Sequence, residues 1–199
     1  MILIPTQFER QILSPLLVNT RPLEVCGFGP VAAAALTSRL ISQHSPSSIV
    51  LVGIAGTYDE QLPVGQAFVF DSVGCYGVGV GAGDTFQTAN QLGWAQVSDP
   101  EITDSITLVP NERSRQLLTV CSAAASPEQV SQRRTVFPKA VAEDMEGFGV
   151  AMACALADIP LTIVRGISNI AGDRDKSHWQ IHSALGSAAE LTNTLLADC

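Results

Sequence analysis

"LTIVRGISNIAGDRD", residues 161–175, is the stretch that decides the fold. Its first part, "LTIVRGIS" (161–168), is apolar on both alternating faces apart from Arg165. That pattern belongs to a strand covered by helices on both sides, not to one with a face in water. The run gives out at Ser168-Asn169, and a turn of Gly, Asp and Arg follows. An amide therefore stands at the carboxyl end of a buried strand.

Similar runs recur upstream: "ILIP" (2–5), "LEVCGF" (23–28), "SIVLVGIAG" (48–56), "QAFVFDSVG" (66–74), "SITLV" (105–109), "LLTVCSA" (117–123) and "AVAED" (140–144). Helical stretches separate many of them. "FERQILSPLL" follows the first run, and "PVAAAALTSRLISQH" (30–44) opens with a proline suited to a first turn. "EGFGVAMACALAD" (146–158) is rich in small residues that allow close packing on a sheet. Segment 177–198 sets Ile181, Leu185, Ala188, Leu191 and Leu195 on one helical face. The alternation predicts one α/β domain over residues 1–199 with a mostly parallel central sheet. The Gly-rich piece 73–93 reads as a hairpin or loop near a site.

The chain has 199 residues, 46% apolar and 15% charged, with a net charge of −8, which argues against a nucleic-acid binder. Five scattered cysteines without C-x-x-C spacing predict reduced thiols in a cytoplasmic protein and no metal site. The amino-terminal "MILIPTQFERQIL" lacks the features of a signal peptide, and no apolar stretch reaches membrane-spanning length, so no membrane partner is expected.

In open α/β sheets ligands bind beyond the carboxyl ends of strands. The places to look are Gly27–Pro30, Gly53–Gly56, Glu143–Glu146 and Ser168–Asp173. "GFGP" (27–30) is either a tight turn or a close backbone approach to a ligand. In "AEDMEGFGVAMA" (142–153), Glu143, Asp144 and Glu146 either cap a helix or supply a carboxylate for paired sugar hydroxyls. Arg165 fits a structural ion pair as well as a ligand contact. Trp179 reads as core, and His178 and His182 read as surface positions on the last helix.

The order of "GFGP", "GIAG", "EDMEG" and "RGISN" resembles the purine nucleoside phosphorylase and nucleosidase superfamily. The longer stretches "EDMEGFGVA" and "RGISNIAGDRDKSHWQI" resemble its futalosine hydrolase branch, nucleosidases of one menaquinone pathway. The resemblance implies a three-layer sandwich, its mixed, mostly parallel sheet flanked by helices. It also implies hydrolysis of the N-glycosidic bond of futalosine to release hypoxanthine. Alternatives are another purine nucleosidase or phosphorylase, or a nucleoside-binding protein that has lost catalysis. By the same resemblance, Glu9 orients the attacking water, Met145 and Glu146 hold the ribose, and Asn169 faces the base. Thr119, Val120 and Cys121 would lie beside the base and Phe137 would stack on it. Gly29, Ala55, Gly56, Ser168 and Asp173 would complete the substrate pocket. A small-molecule nucleoside substrate, a homo-oligomer and no cofactor or metal are expected.

In the adenine-type pattern Gln11 would fall at the place of the catalytic acid, so Glu9 must reach the pocket by a helix turn. Ile54 stands where the family often has a small hydroxyl residue, Arg10 is the candidate cation near the first strand, and no Gly-rich phosphate loop is evident. These features favour water over phosphate as nucleophile. An amide at position 169 donates an N–H permanently, whereas a carboxylate would repel the lone pairs at N7 and O6 of a 6-oxopurine. Hypoxanthine is therefore the expected leaving group.

Overall fold

The sheet grows outward from two long strands, and the sequence explains why these two are central. Residues 49–57 and 161–170 are buried along nearly their whole length, and only neighbours on both edges satisfy that much backbone. The structure, a computed structural model, describes residues 1–18, 21–108 and 115–197.

In chain order the first elements are β1 (Ile2–Ile4), α1 (Gln7–Leu13), β2 (Leu23–Val25), α2 (Pro30–His44) and β3 (Ile49–Thr57). Next come β4 (Ala67–Phe70) and β5 (Ser72–Tyr76). Two small ribbons follow, β6 (Gly79–Val80) with β7 (Gln87–Thr88) and β8 (Val97–Ser98) with β9 (Glu101–Ile102). The remainder is β10 (Ser105–Thr107), β11 (Gln116–Val120), α3 (Pro127–Val136), β12 (Ala140–Asp144), α4 (Gly147–Ala155), β13 (Leu161–Ile170) and α5 (Ile181–Ala197).

β3 pairs in parallel with β1 on one edge and β13 on the other. Its last residues, Gly56 and Thr57, turn to pair antiparallel with β12. β12 runs parallel to β11, and β11 parallel to β5. The sheet is thus mixed and mostly parallel, as expected.

Alternation along the strands sends side chains to two layers. Ile2, Ile4, Val50, Val52 and Val164 pack with Leu185 and Ala188 of α5 and with Leu13 of α1. Leu3, Leu51 and Ile163 face the other way, toward Ala33 of α2 and Val150 and Ala151 of α4. α2 and α4 approach closely at Gly149, where an added Cβ would sit 2.3 Å from the Pro30 carbonyl oxygen. No helix among the described residues is long and apolar enough to cross a membrane.

The structure corrects two expectations and adds one helix. The run 66–74 is two strands, because the chain bends at Asp71: β4 pairs with β13 and β5 with β11. The sheet thereby curls back toward itself. The last helix starts at Ile181, after a single 3₁₀ turn at Lys176–His178, so His178 lies outside the helix. α3 went unread because its polar sequence "PEQVSQRRTV" shows no apolar stripe. Val109, at the end of the expected run 105–109, and Asp198, at the end of the expected helix, lie outside the described residues, as does Cys199.

Candidate active site

A cavity of about 430 Å³ opens at the carboxyl ends of β3, β12 and β13. Its polar wall comes from the ends of β12 and β13 and the first turn of α1: Glu9, Glu143, Asp144, Glu146, Ser168 and Asn169. Ala55, Gly56, Val120 and Met145, which the resemblance names as substrate contacts, also line this cavity.

Glu9 reaches the cavity through its helix cap. Thr6 is the N-cap of α1, and its Oγ1 accepts from the Glu9 N–H at 3.2 Å. The same hydroxyl donates to Glu9 Oε2 at 2.6 Å. Oε1 accepts from the Ile54 N–H at 3.1 Å, across the sheet. The T-x-x-E spacing of "TQFE" is a capping-box signal that sequence reading passed over. It fixes Glu9, not Gln11, against the pocket.

The three acids of "AEDMEG" have separate tasks. Glu143 is consumed: it pairs with Arg133, accepts from Tyr58 Oη at 2.6 Å and from the Ala124 N–H at 2.7 Å. Asp144 Oδ2 takes Arg165 Nη2 at 2.5 Å, Arg165 Nε at 3.1 Å and the Gly147 N–H at 2.8 Å. Glu146 is the least engaged. Its Oε1 accepts from the Gly29 N–H at 3.1 Å, and Oε2 lies 3.5 Å from Arg165 Nη2. It is the carboxylate with acceptor capacity left for a ligand.

Arg165 is 0% exposed, and the ion-pair reading of it holds. Its single charge faces Asp144, Glu146 and Glu9. Burial opposes that charge, but these carboxylates, Asp144 foremost, hold it firmly protonated. One cation cannot balance three buried anions. Burial accordingly pushes Glu146 up to about 7, against the pull of Arg165. Burial also raises Glu9, with Thr6 and Arg165 opposing it. Near neutral pH the cluster can therefore hold and exchange a proton.

Asn169 owes its position to an irregularity in β13. Ile167 pairs with Ala55 and Asn169 with Gly56, which leaves Ser168 as an extra residue. Both Ser168 and Asn169 line the cavity. The Ser168 hydroxyl donates to Asn169 Oδ1 at 2.8 Å, and Nδ2 donates to the Ile170 carbonyl at 2.9 Å. The amide is oriented, and Nδ2 keeps a second N–H for a ligand.

Other expected site residues stand elsewhere. Thr119 is fully buried behind the pocket, donating to Asp144 Oδ1 at 2.6 Å and accepting from the Phe148 N–H at 2.8 Å. Gly29 acts through its N–H on Glu146 and does not line the cavity. Cys121 is exposed beyond the end of β11. Asp173 is held by His178 Nδ1 at 2.7 Å, outside the cavity lining. Phe137 is displaced most. As the C-cap of α3 it packs with Leu118, Val120 and Ala140 and faces Gly74, so its ring is not available to the candidate site.

Phe137 borders a different groove, larger at about 650 Å³, with Thr88, Asn90 and Gln91. Part of the Gly-rich segment 73–93 lies here and not beside Glu146. The larger groove lacks the carboxylate–arginine cluster, so size does not locate the chemistry. Sequence reasoning missed Phe8 and Phe28, placed Trp179 in the core, and left Arg174 open between capping the pocket and pairing with Asp175; all four line the candidate site. The available signal was a large apolar residue at a strand-to-helix turn. Among the described residues no group of three or more His, Cys, Asp or Glu is arranged to hold a metal ion.

Known proteins resemble the chain throughout. The model of the Phosphorylase superfamily matches residues 18–199. The chain is 29% identical to the futalosine hydrolase of Streptomyces coelicolor, over 87% of this chain and 77% of that one. It is also 29% identical to the 5′-methylthioadenosine/S-adenosylhomocysteine nucleosidase of Tolumonas auensis, over 77% and 70%. The fold is shared with the corresponding nucleosidase of Colwellia psychrerythraea in complex with adenine, at a TM-score of 0.79 and 21% identity, covering 98% and 93% of the two chains. It is also shared with the futalosine hydrolase of Helicobacter pylori, at a TM-score of 0.77 and 16% identity, covering 100% and 97%.

Proposed function

We infer that this chain, which belongs to the phosphorylase superfamily, is a nucleosidase that cleaves the N-glycosidic bond of a purine nucleoside with water, futalosine being its preferred substrate. Relatives named as nucleosidases support the reaction class. The observation that carries the substrate is Asn169, an oriented amide with a free N–H where an amino-purine site would gain from an acid.

Cleavage leaves positive charge on the ribose ring and negative charge on the departing purine, and a catalyst gains by stabilising both. In this reading Glu146 accepts from the 2′- and 3′-hydroxyls, and Met145 packs beside the sugar. Glu9 orients a water and takes its proton as the oxygen bonds to C1′. Its raised pKa makes it a better base than an ordinary carboxylate. The C1′–N9 electron pair leaves with the purine, whose charge is met by the Asn169 N–H at N7 or O6. Solvent then protonates the base.

Arg165, the cation nearest these acids, is tied to Asp144 and Glu146, which supports water over phosphate as the nucleophile. The assay is purine release from futalosine, aminodeoxyfutalosine and methylthioadenosine side by side, with and without phosphate. Hypoxanthine from futalosine without phosphate is the expected result. A ribose 1-phosphate-type product overturns the hydrolytic reading. Methylthioadenosine as best substrate favours the second reading, which the Tolumonas relative supports at equal identity. Asn169→Asp is expected to erode a 6-oxo preference of about 10⁴-fold, the scale set by mispaired buried groups. An unchanged preference in that variant removes Asn169 as its cause.

A further inference from the structure

The inner half of the candidate site is crowded with acids, and its outer half is apolar. Phe8, Phe28, Trp179 and Ile181 form the apolar wall, with Phe8 51% and Phe28 64% exposed. One charged residue shares that wall, Arg174. Its guanidinium carbon lies 5.2 Å from the centroid of the Trp179 ring, a stacking arrangement that favours a fixed orientation. The Trp179 Nε1–H in turn donates to the Asp173 carbonyl at 3.3 Å, which anchors the ring.

The neighbouring acids are bonded to other groups. Asp173 Oδ2 is engaged by His178 at 2.7 Å. Asp175 Oδ1 accepts from the Ser177 N–H at 2.9 Å and from its hydroxyl at 2.7 Å. Among the described residues no carboxylate pairs with Arg174. A chain of net charge −8 thus keeps a stacked guanidinium without a carboxylate partner on the lining of its acidic pocket.

We propose that Arg174 is a specificity-determining residue that recognises a carboxylate carried on the 5′ side of the nucleoside. The proposal rests on the nucleosidase reading. With the base on Asn169 and the ribose on Glu146, the apolar wall is the surface left for a 5′ substituent. An aromatic or other flat apolar spacer fits between Phe8, Phe28 and Trp179, and its terminal carboxylate meets the guanidinium. Recognition of this kind is charge-assisted and geometrically selective.

The test uses a matched pair of probes, 5′-deoxy-5′-(4-carboxyphenylthio)inosine and its methyl ester. Hypoxanthine release gives kcat/KM, and titration calorimetry gives Kd. The wild-type protein is expected to favour the acid over the ester by about tenfold in both, as for an exposed hydrogen bond to a charged group. Raising the salt should narrow that ratio. Arg174→Gln should bring the ratio close to one, and Arg174→Lys should restore part of it. A wild-type ratio near one, or a ratio that survives in Arg174→Gln, overturns the assignment. Calorimetry separates this outcome from the parent reading: absence of hypoxanthine release from either probe counts against the nucleosidase, while the ratio of Kd values still decides Arg174.

Discussion

Gly53→Ala tests whether the buried cation really sets the geometry of the site. A Cβ on Gly53 would sit 2.3 Å from Arg165 Nη1, 2.9 Å from Glu9 Oε1 and 3.0 Å from Pro5 Cγ. Nη1 would have to retreat by about 1 Å to regain ordinary van der Waals contact. Elsewhere the end of an arginine swings aside cheaply. Here the side chain is 0% exposed, and its Nε and Nη2 are both bound to Asp144. The guanidinium is planar and rigid, so moving Nη1 also moves the two nitrogens that carry the ion pair. Overpacking together with a weakened buried pair should cost about 2–4 kcal/mol. For a chain of this size that lowers Tm by about 5–15 °C in a thermal melt. The Cβ also crowds Glu9, so kcat/KM should fall at least about tenfold, a loss measured under conditions where the variant is fully folded. Gly186→Ala in α5 is the control. Its Cβ would meet nothing within 4 Å, and alanine should gain about 0.5–1 kcal/mol there from helix propensity. A Gly53→Ala protein that melts within about 2 °C of wild type, with unchanged kcat/KM, would refute the picture of a fixed guanidinium.

Glu9→Gln keeps the shape of the side chain and removes its basicity, so kcat should fall about 10²–10⁴-fold while KM changes little; initial-rate measurements check this, and a KM effect alone would make Glu9 a binding group. Glu146 gives a pH signature. Burial lifts its pKa from 4.5 to about 7, so the folded state keeps a proton that the unfolded chain releases. The stabilisation from this group is complete below its unfolded value and is lost as pH rises through about 7, on the order of 2–3 kcal/mol. Glu146→Gln should therefore lose less stability than wild type between about pH 5 and 8 in denaturant titrations; parallel curves would remove Glu146 as the titrating group. Over the same interval wild-type kcat/KM should rise, because only the ionised carboxyl accepts from both ribose hydroxyls.

Much of this architecture is written locally in the sequence. β3 and β13 are legible because burial on both faces demands an unbroken apolar run, and α2 because Pro30 fixes its first turn. Glu146, Met145, Ser168 and Asn169 are legible because they stand at the ends of such runs. The misses depend on distant partners. Nothing in "QAFVFDSVG" except Asp71 announces that the strand changes partner from β13 to β11. Phe137 has the chemistry of a base-stacking ring, but the space over Gly74 captures it for the core. Trp179 looks like core for the same reason, yet the 3₁₀ turn before α5 carries it to the cavity. Arg165 could be assigned only once its counter-ions, one of them 156 positions away at residue 9, were in place.

The extra residue in β13 divides one strand into two independently adjustable parts. Upstream of Ile167 the strand keeps regular alternation, with Leu161 and Ile163 packed in one helix layer and Val164 in the other. Past the irregularity two consecutive side chains serve a single cavity, which a regular strand would have sent to opposite faces. Substitution at position 169 can thus change the lining of the cavity without disturbing the packing of Ile163 or Val164. Deleting a single residue there would rephase the whole ending and exchange core for site. Ser168 is in this sense a joint: it lets the stability of the strand and the selectivity of the pocket vary separately.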